Sequence, residues 1–217
     1  MSDPARSRAA VEIVRAGWDQ ASERYRSEEA VSDVFGHGFA DHRDWLSPLF
    51  EHVPAGASVG DLGCGCGVPD CRLLAERFTV VGVDLSDRQI ERARRYVPAA
   101  TFRRADMTEV EFPEGSLGAV VCLYALIHVP LLRQLPLLRS VRRWLSPGGW
   151  LVLIAGERAV EGFEEDWLGS GARMYWSHAD AATYRRWLAD VGFTAVDERF
   201  VPEGSSGHRL FRVRVPP

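Results

Sequence analysis

The chain has 217 residues, 46% of them hydrophobic and 26% charged, with a formal net charge of −4. That length supports one substantial α/β domain with its own core. The mild acidity provides no general attraction to nucleic acid or an anionic membrane, and no apolar run approaches the ~20 residues that span a bilayer. Residues Met1 to Arg8 contain no apolar stretch of the kind that leads a chain to secretion, so a cytoplasmic location is expected. The arginines are scattered along helical stretches and read as solvated faces.

From the N-terminus, Val11, Val14, Trp18, Ala21 and Tyr25 recur at three- and four-residue spacing, which predicts a helix over 5–31. A second helix is expected over 39–52. From Ala57 the rhythm changes to short apolar runs separated by helical segments. Strands are expected at 57–62, 79–84, 100–105, 117–123 and 149–155, with helices at 69–78, 87–97 and 131–145. Alternation on this scale implies parallel strands joined by crossover helices. Ser86 suits the N-cap of the helix from Asp87, and Ser146-Pro147-Gly148-Gly149 is a stop after the helix ending near Leu145. Residues 157–178 are rich in Trp, Gly, Glu and Ser and show no clear period. A helix follows over 179–191, closed by Gly192. Strand-like runs at 194–201 and 208–215 flank Pro202 to Gly207, which reads as a hairpin loop, so the sheet ends antiparallel. The expected architecture is a single domain over 1–217: a helical lid (1–52), a core (57–156), an insertion (157–178) and a C-terminal helix and hairpin (179–217).

Val59 to Gly67 reads Val-Gly-Asp-Leu-Gly-Cys-Gly-Cys-Gly. Gly63, Gly65 and Gly67 let the backbone turn and let a ligand come close. A dinucleotide pyrophosphate wants a helix N-terminus without an anion beside it, whereas Asp61 suits a ligand with a positive group. Asp84 ends the second strand about 20 residues past the loop, where an acid accepts from a ribose diol. Asp106 ends the third and is placed to accept from an adenine amino group. The three acids stand at the C-terminal ends of successive strands, the edge where open α/β sheets bind ligands. The cysteines Cys64, Cys66 and Cys71 have Cys-x-Cys-x4-Cys spacing with no second cluster, so small packing residues are expected and no metal site. With Cys122 they form no disulfide framework, as in a reducing compartment.

Taken together, Asp61-x-Gly-x-Gly-x-Gly, Asp84, Asp106-Met107, the strand from Leu117 to Tyr124, and Leu145-Ser-Pro-Gly-Gly resemble a class I S-adenosylmethionine-dependent methyltransferase, over roughly residues 10–215. The Met-Tyr-Trp-Ser-His segment at Met174 to His178 is similar to that of a small bacterial subgroup. The resemblance implies a Rossmann-like, doubly wound, seven-stranded sheet, mostly parallel with an antiparallel C-terminal hairpin, under a helical N-terminal lid. It implies S-adenosylmethionine as cofactor, with Gly63, Gly65 and Gly67 carrying the methionine part. Asp61 then faces its ammonium through water, Asp84 with Leu85 holds the ribose, and Asp106 with Met107 contacts adenine. Leu123 completes the cofactor set, and Trp18 and Tyr25 fold over it. Cys66, where alanine, serine or threonine is usual, and Gly118, where many relatives have aspartate, depart from the pattern.

His128 follows the fourth strand in a segment whose histidine, in similar proteins, faces the methyl group. It is the candidate base or positioning group, and ordinary packing is the alternative. Tyr124, His128, Tyr175, Trp176 and His178 are the candidates for the acceptor pocket. The expected reaction is transfer of a methyl group to O, N or S of a small molecule, by a monomer or homodimer that engages neither nucleic acid nor membrane. Alternatives left open are a protein or RNA methyltransferase and a non-catalytic cofactor binder. An NAD(P)-binding oxidoreductase is disfavoured, because the third glycine follows after one residue rather than two.

Overall fold

The computed structural model describes residues 4–26 and 36–217. Seven strands form one sheet in the order β3-β2-β1-β4-β5-β9-β8. The parallel part comprises β1 (Ser58–Leu62), β2 (Thr79–Asp84), β3 (Thr101–Arg104), β4 (Leu117–Cys122) and β5 (Leu145–Gly156). The last two strands, β8 (Thr194–Glu203) and β9 (Ser206–Arg214), form the expected hairpin, and β9 runs antiparallel to β5. Strand order reverses direction at β1 and β4, so a crevice opens between their C-terminal ends. The central strands β1, β4 and β5 are buried on both faces, as a sheet covered on both sides requires, and a separate apolar core lies on each face.

The helices, in chain order, are α1 (Pro4–Tyr25), α2 (Phe39–Trp45), α3 (Ser47–His52), α4 (Asp70–Leu74), α5 (Asp87–Tyr96), α6 (Leu131–Trp144) and α7 (Ala181–Val191). The helix expected over 5–31 is observed to Tyr25, and positions 27–31 lie outside the described residues. The single helix expected over 39–52 is two, because Pro48 has no N–H to continue the first ladder and instead sits in the opening turn of the second. The helix expected over 69–78 is only α4, after which turns lead back into β2. Ser86 caps α5 by accepting from Gln89 N–H at 3.0 Å, as the sequence predicts. Gly118 is closely packed: a Cβ there would stand 3.0 Å from Val53 Cγ1 and 3.1 Å from Ala57 Cβ, so a larger residue requires those neighbours to give way.

The segment without sequence periodicity is not a loop. It forms a two-stranded antiparallel sheet, β6 (Val160–Trp167) and β7 (Ala172–His178), whose register slips between Glu164 and Trp167. One face of β7 packs on α1, and together they make a third, smaller core of Val14, Ala21, Trp167, Met174 and Tyr175. Gly17 is required at this contact, because a Cβ would press on the Arg173 carbonyl at 2.7 Å. The lid is therefore a helix and a hairpin acting as one layer over the crevice. No described helix is long and apolar enough to cross a membrane.

Candidate functional site

The glycine loop leaves β1 and is tied at once to β2: the N–H groups of Gly63 and Cys64 both donate to Val83 O, at 2.7 and 3.0 Å. Gly63, Gly65 and Gly67 have φ of +77°, +53° and +76°, the left-handed region that favours glycine. A Cβ on Gly63 would overlap that of Ala125, so the loop lies directly against the chain leaving β4. Gly67 serves another purpose. Its missing Cβ makes room for Val97 and Phe102, and it does not face the crevice.

The crevice is a cavity of about 1020 Å³, open mouth included. Its floor holds Gly63 and Gly65, one flank Asp84, Leu85, Asp106 and Met107, the other Leu123, Tyr124 and His128, and its roof Trp18 and Tyr25 of the lid. Eleven residues singled out in the sequence thus meet around one space. Asp61, Gly67, Tyr175, Trp176 and His178 do not line it, so for Gly67, Tyr175, Trp176 and His178 the expected place on the wall is corrected, and Asp61, expected to act through water, lies behind the wall.

Each carboxylate has a distinct setting. Asp84 accepts from Gly65 N–H (2.8 Å) and Ser86 N–H (2.9 Å), which ties the loop to the start of α5. Burial nevertheless pushes its carboxyl up to about 6. Asp106 accepts from the Thr108 N–H and hydroxyl, both at 2.8 Å, and pairs with Arg133 Nη1 at 2.9 Å. Asp61 is 2% exposed, and the Cys71 thiol donates to it at 3.1 Å. Burial, reinforced by the facing charge of Asp70, holds its carboxyl well above the usual range. It lies beneath the loop rather than beside the cavity.

His128 sits in a 3-10 turn over Leu126–His128, just past β4. The carboxamide nitrogen of Gln134 bridges the Leu126, Val129 and Ser177 carbonyls at 2.6 to 3.0 Å, fastening this turn to β7. His128 Nδ1 is 2.8 Å from Tyr175 O. A carbonyl only accepts, so Nδ1 carries the proton and Nε2 keeps its lone pair. Burial holds the ring down at about 4, so it stays neutral at physiological pH. Trp176 lies 4.5 Å from its ring and Trp18 5.7 Å, edge-on. Tyr175 and Trp176 thus act on the cavity through His128, one by its carbonyl and one by packing. His178 stands farther off, 5.7 Å from the ring of His208. Tyr124 adopts φ of +57°, and its ring stacks on His37 while its hydroxyl lies 3.4 Å from His37 Nδ1.

Sequence reasoning missed three wall residues. Gln89 of α5 accepts from the Ser22 hydroxyl of α1 at 2.8 Å, and so joins lid and core. His42 of α2 and Asp70 of α4 meet at 2.6 Å between Nδ1 and Oδ1, and both reach the cavity. Nothing in periodicity announces them, because they come together only when α2 folds over the loop. The cysteines are all buried and reduced, and burial pushes Cys64 up to about 12. Among the described residues no three of His, Cys, Asp or Glu are grouped to hold a metal.

Comparison with known proteins agrees with this geometry. Residues 59–149 match the family described as a methyltransferase domain. The sterol 24-C-methyltransferase erg6 of Aspergillus fumigatus is 31% identical over 149 residues, 64% of this chain and 38% of that protein. The 27-O-demethylrifamycin SV methyltransferase of Amycolatopsis mediterranei is 35% identical over 106 residues, 46% of this chain and 38% of that protein. The chain spans little more than a third of the length of these curated relatives. Among solved structures, magnesium protoporphyrin IX methyltransferase from Synechocystis, with its bound S-adenosylmethionine, has a TM-score of 0.73 at 18% identity, over 95% of this chain and 97% of that one. Residues 59–149 thus match a methyltransferase domain, in a chain whose sheet and strand-end cavity share the fold of a methyltransferase solved with S-adenosylmethionine bound.

Proposed function

We propose that this chain transfers a methyl group from S-adenosylmethionine to an O, N or S atom of a small-molecule acceptor. The observation that carries the reading is the single cavity in which the glycine loop, Asp84 and Asp106 share a wall with His128 and Tyr124. Donor-type and acceptor-type residues therefore open onto one space, as an in-line displacement needs.

The wall fits the cofactor. Asp84 retains lone pairs for a ribose diol after its two backbone bonds. Leu85, Ala105 and Met107 offer an apolar slot for adenine beside the Asp106 carboxylate. Trp18 and Tyr25 place π faces over the cavity, compatible with a cationic sulfonium. Bound there, S-adenosylmethionine supplies an electrophilic methyl group, and the protein supplies alignment and exclusion of water.

His128 works in this reading as a positioning group. A ring held near 4 stores no proton at neutral pH, but its Nε2 lone pair can accept from an acceptor O–H or N–H and turn a nucleophilic lone pair toward the methyl group. Tyr175 O and Trp176 keep the ring in that tautomer and orientation. Two matched relatives bear the names of sterol and rifamycin methyltransferases, which favours a small-molecule acceptor here.

Thermal unfolding in the presence of S-adenosylhomocysteine and of NAD(P)H tests the donor assignment. Stabilisation by the first of about 2.7 kcal/mol at a hundredfold excess over Kd, with none by the second, is expected. The reverse pattern overturns it. A screen of small hydroxyl, amine and thiol compounds with methyl-labelled donor identifies the acceptor, and transfer only to protein or RNA would refute the small-molecule assignment.

A further inference from the structure

Asp61 is the residue that the glycine-loop pattern assigns to the ammonium of the cofactor, yet it lies off the cavity wall, sealed at 2% exposure with the Cys71 thiol on its Oδ2. Another carboxylate occupies the wall at this end. Asp70 opens α4, directly after the loop, and lines the cavity beside Cys66, Val68 and Pro69. Its Oδ1 is held by His42 Nδ1 at 2.6 Å, and its Oδ2 takes no hydrogen bond among the described residues. His42 lines the same cavity, is 4% exposed, and its Nε2 is buried with no hydrogen-bond partner among the described residues. Two side chains from separate helices thus fix one another at one corner of the cavity, and each keeps a polar atom without a hydrogen bond among the described residues.

We propose that Asp70, held in place by His42, is the carboxylate that meets the ammonium group of S-adenosylmethionine, and that Asp61 supports the loop from beneath. The proposal rests on the cofactor reading above. A carboxylate on the wall with one oxygen anchored and the other without a hydrogen bond can accept a charge-assisted bond from an ammonium with little reordering. Asp61 cannot take that place without breaking its contact with Cys71 and displacing the loop. Burial, with Asp70 nearby, raises the Asp61 carboxyl, so charge is disfavoured at Asp61. The hydrogen bond from His42 fixes one oxygen of the Asp70 carboxylate.

The test compares two ligands that differ at this corner. S-adenosylhomocysteine carries the ammonium; 5′-methylthioadenosine keeps adenosine and sulfur but has no amino-acid end. Calorimetric titration of the wild-type protein gives the ratio of the two affinities. Asp70→Asn, of the same shape, should weaken S-adenosylhomocysteine about tenfold or more and leave 5′-methylthioadenosine within about twofold, the loss of one charge-assisted contact. Asp61→Asn should change the ratio little. His42→Asn, which keeps the carboxylate but frees it, should lower the ratio by about threefold and serves if Asp70→Asn does not fold. An unchanged ratio in Asp70→Asn, an equal loss of both ligands, or an equally selective loss in Asp61→Asn overturns the proposal. Failure of the wild-type protein to bind S-adenosylhomocysteine would instead overturn the cofactor reading.

Discussion

Acid should destabilise this protein through His128, and His128→Asn should remove that sensitivity. The ring is buried, donates through Nδ1 to Tyr175 O at 2.8 Å, and is held at about 4. In the unfolded chain a histidine titrates near 6.5. As pH falls, the unfolded chain takes up the proton first, so the contribution of His128 is complete above about 6.5 and is lost on the way down to about 4. Integrated from about pH 7.5 to about pH 5, the loss is about 2 kcal/mol. Asp84 works in the opposite sense. Its folded value of about 6 lies above that of the unfolded chain, so it returns about 1.4 kcal/mol over the same interval. His178, also lowered by burial, adds to the loss in both proteins alike. Asparagine can reproduce the Nδ1 bond to Tyr175 O but cannot titrate. At about 2–4 °C per kcal/mol for a domain of this size, the fall in Tm between the two pH values should be about 4–8 °C smaller in the variant. Differential scanning calorimetry of the unliganded proteins measures it, and the cavity left by the substitution cancels between pH values. Parallel pH profiles, within about 1 °C, would refute both the neutral tautomer and the depth of burial assigned to His128.

Gly63→Ala should be costly, because the residue is held at φ of +77° and a Cβ would overlap that of Ala125. A left-handed residue costs about 1–2 kcal/mol and overpacking about 1–3 more, so Tm should fall by at least about 4 °C, with loss of S-adenosylhomocysteine binding; retention of both would sink the steric argument. Asp19→Ala should loosen the lid, since Asp19 Oδ1 accepts from the Ser86 hydroxyl at 2.6 Å and Arg88 N–H at 3.1 Å, joining α1 to the start of α5 beside Asp84. Hydrogen exchange should rise in α1 and leave the amides of β1, β4 and β5 unchanged, with affinity for S-adenosylhomocysteine down about threefold to tenfold. A uniform rise, or none, argues against a latch.

The parallel half of the fold was legible because each of its signals is local. Asp84, Ser86 and Gly192 mark element ends by their own chemistry, and strands buried on both faces read as continuous apolar runs. The insertion was not legible. In β6 nearly every residue but Trp167 is solvent-facing, whereas β7 packs on α1, so neither strand shows the alternation of a half-buried pair. Its partner lies some 150 residues earlier, as the bond from Gln20 to Ser170 O illustrates. The same limit applies to Tyr175 and Trp176. Their composition pointed to the acceptor side, but only the fold reveals that they touch His128 and not the cavity itself.

The acids of the strand-end edge show why position in a motif is a weaker guide than the company a side chain keeps. Four carboxyl groups gather there, and they cannot all present charge to one ligand. Asp106 is paired with Arg133, and Asp61 is sealed with Cys71, its carboxyl raised by burial. Asp84 and Asp70 remain on the wall, and Arg26 is the guanidinium that shares it among the described residues. A pyrophosphate brought within ~4 Å of either carboxylate would meet repulsion of about 4 kcal/mol per charge pair at an effective dielectric of about 20. That penalty, nearly a thousandfold in affinity per pair, weighs against a dinucleotide at this loop more heavily than the glycine spacing does. A ligand with an ammonium at one end and hydroxyls at the ribose corner meets the same two carboxylates as partners. With Asp70 and Asp84 both on it, the wall favours a cationic ligand over a pyrophosphate.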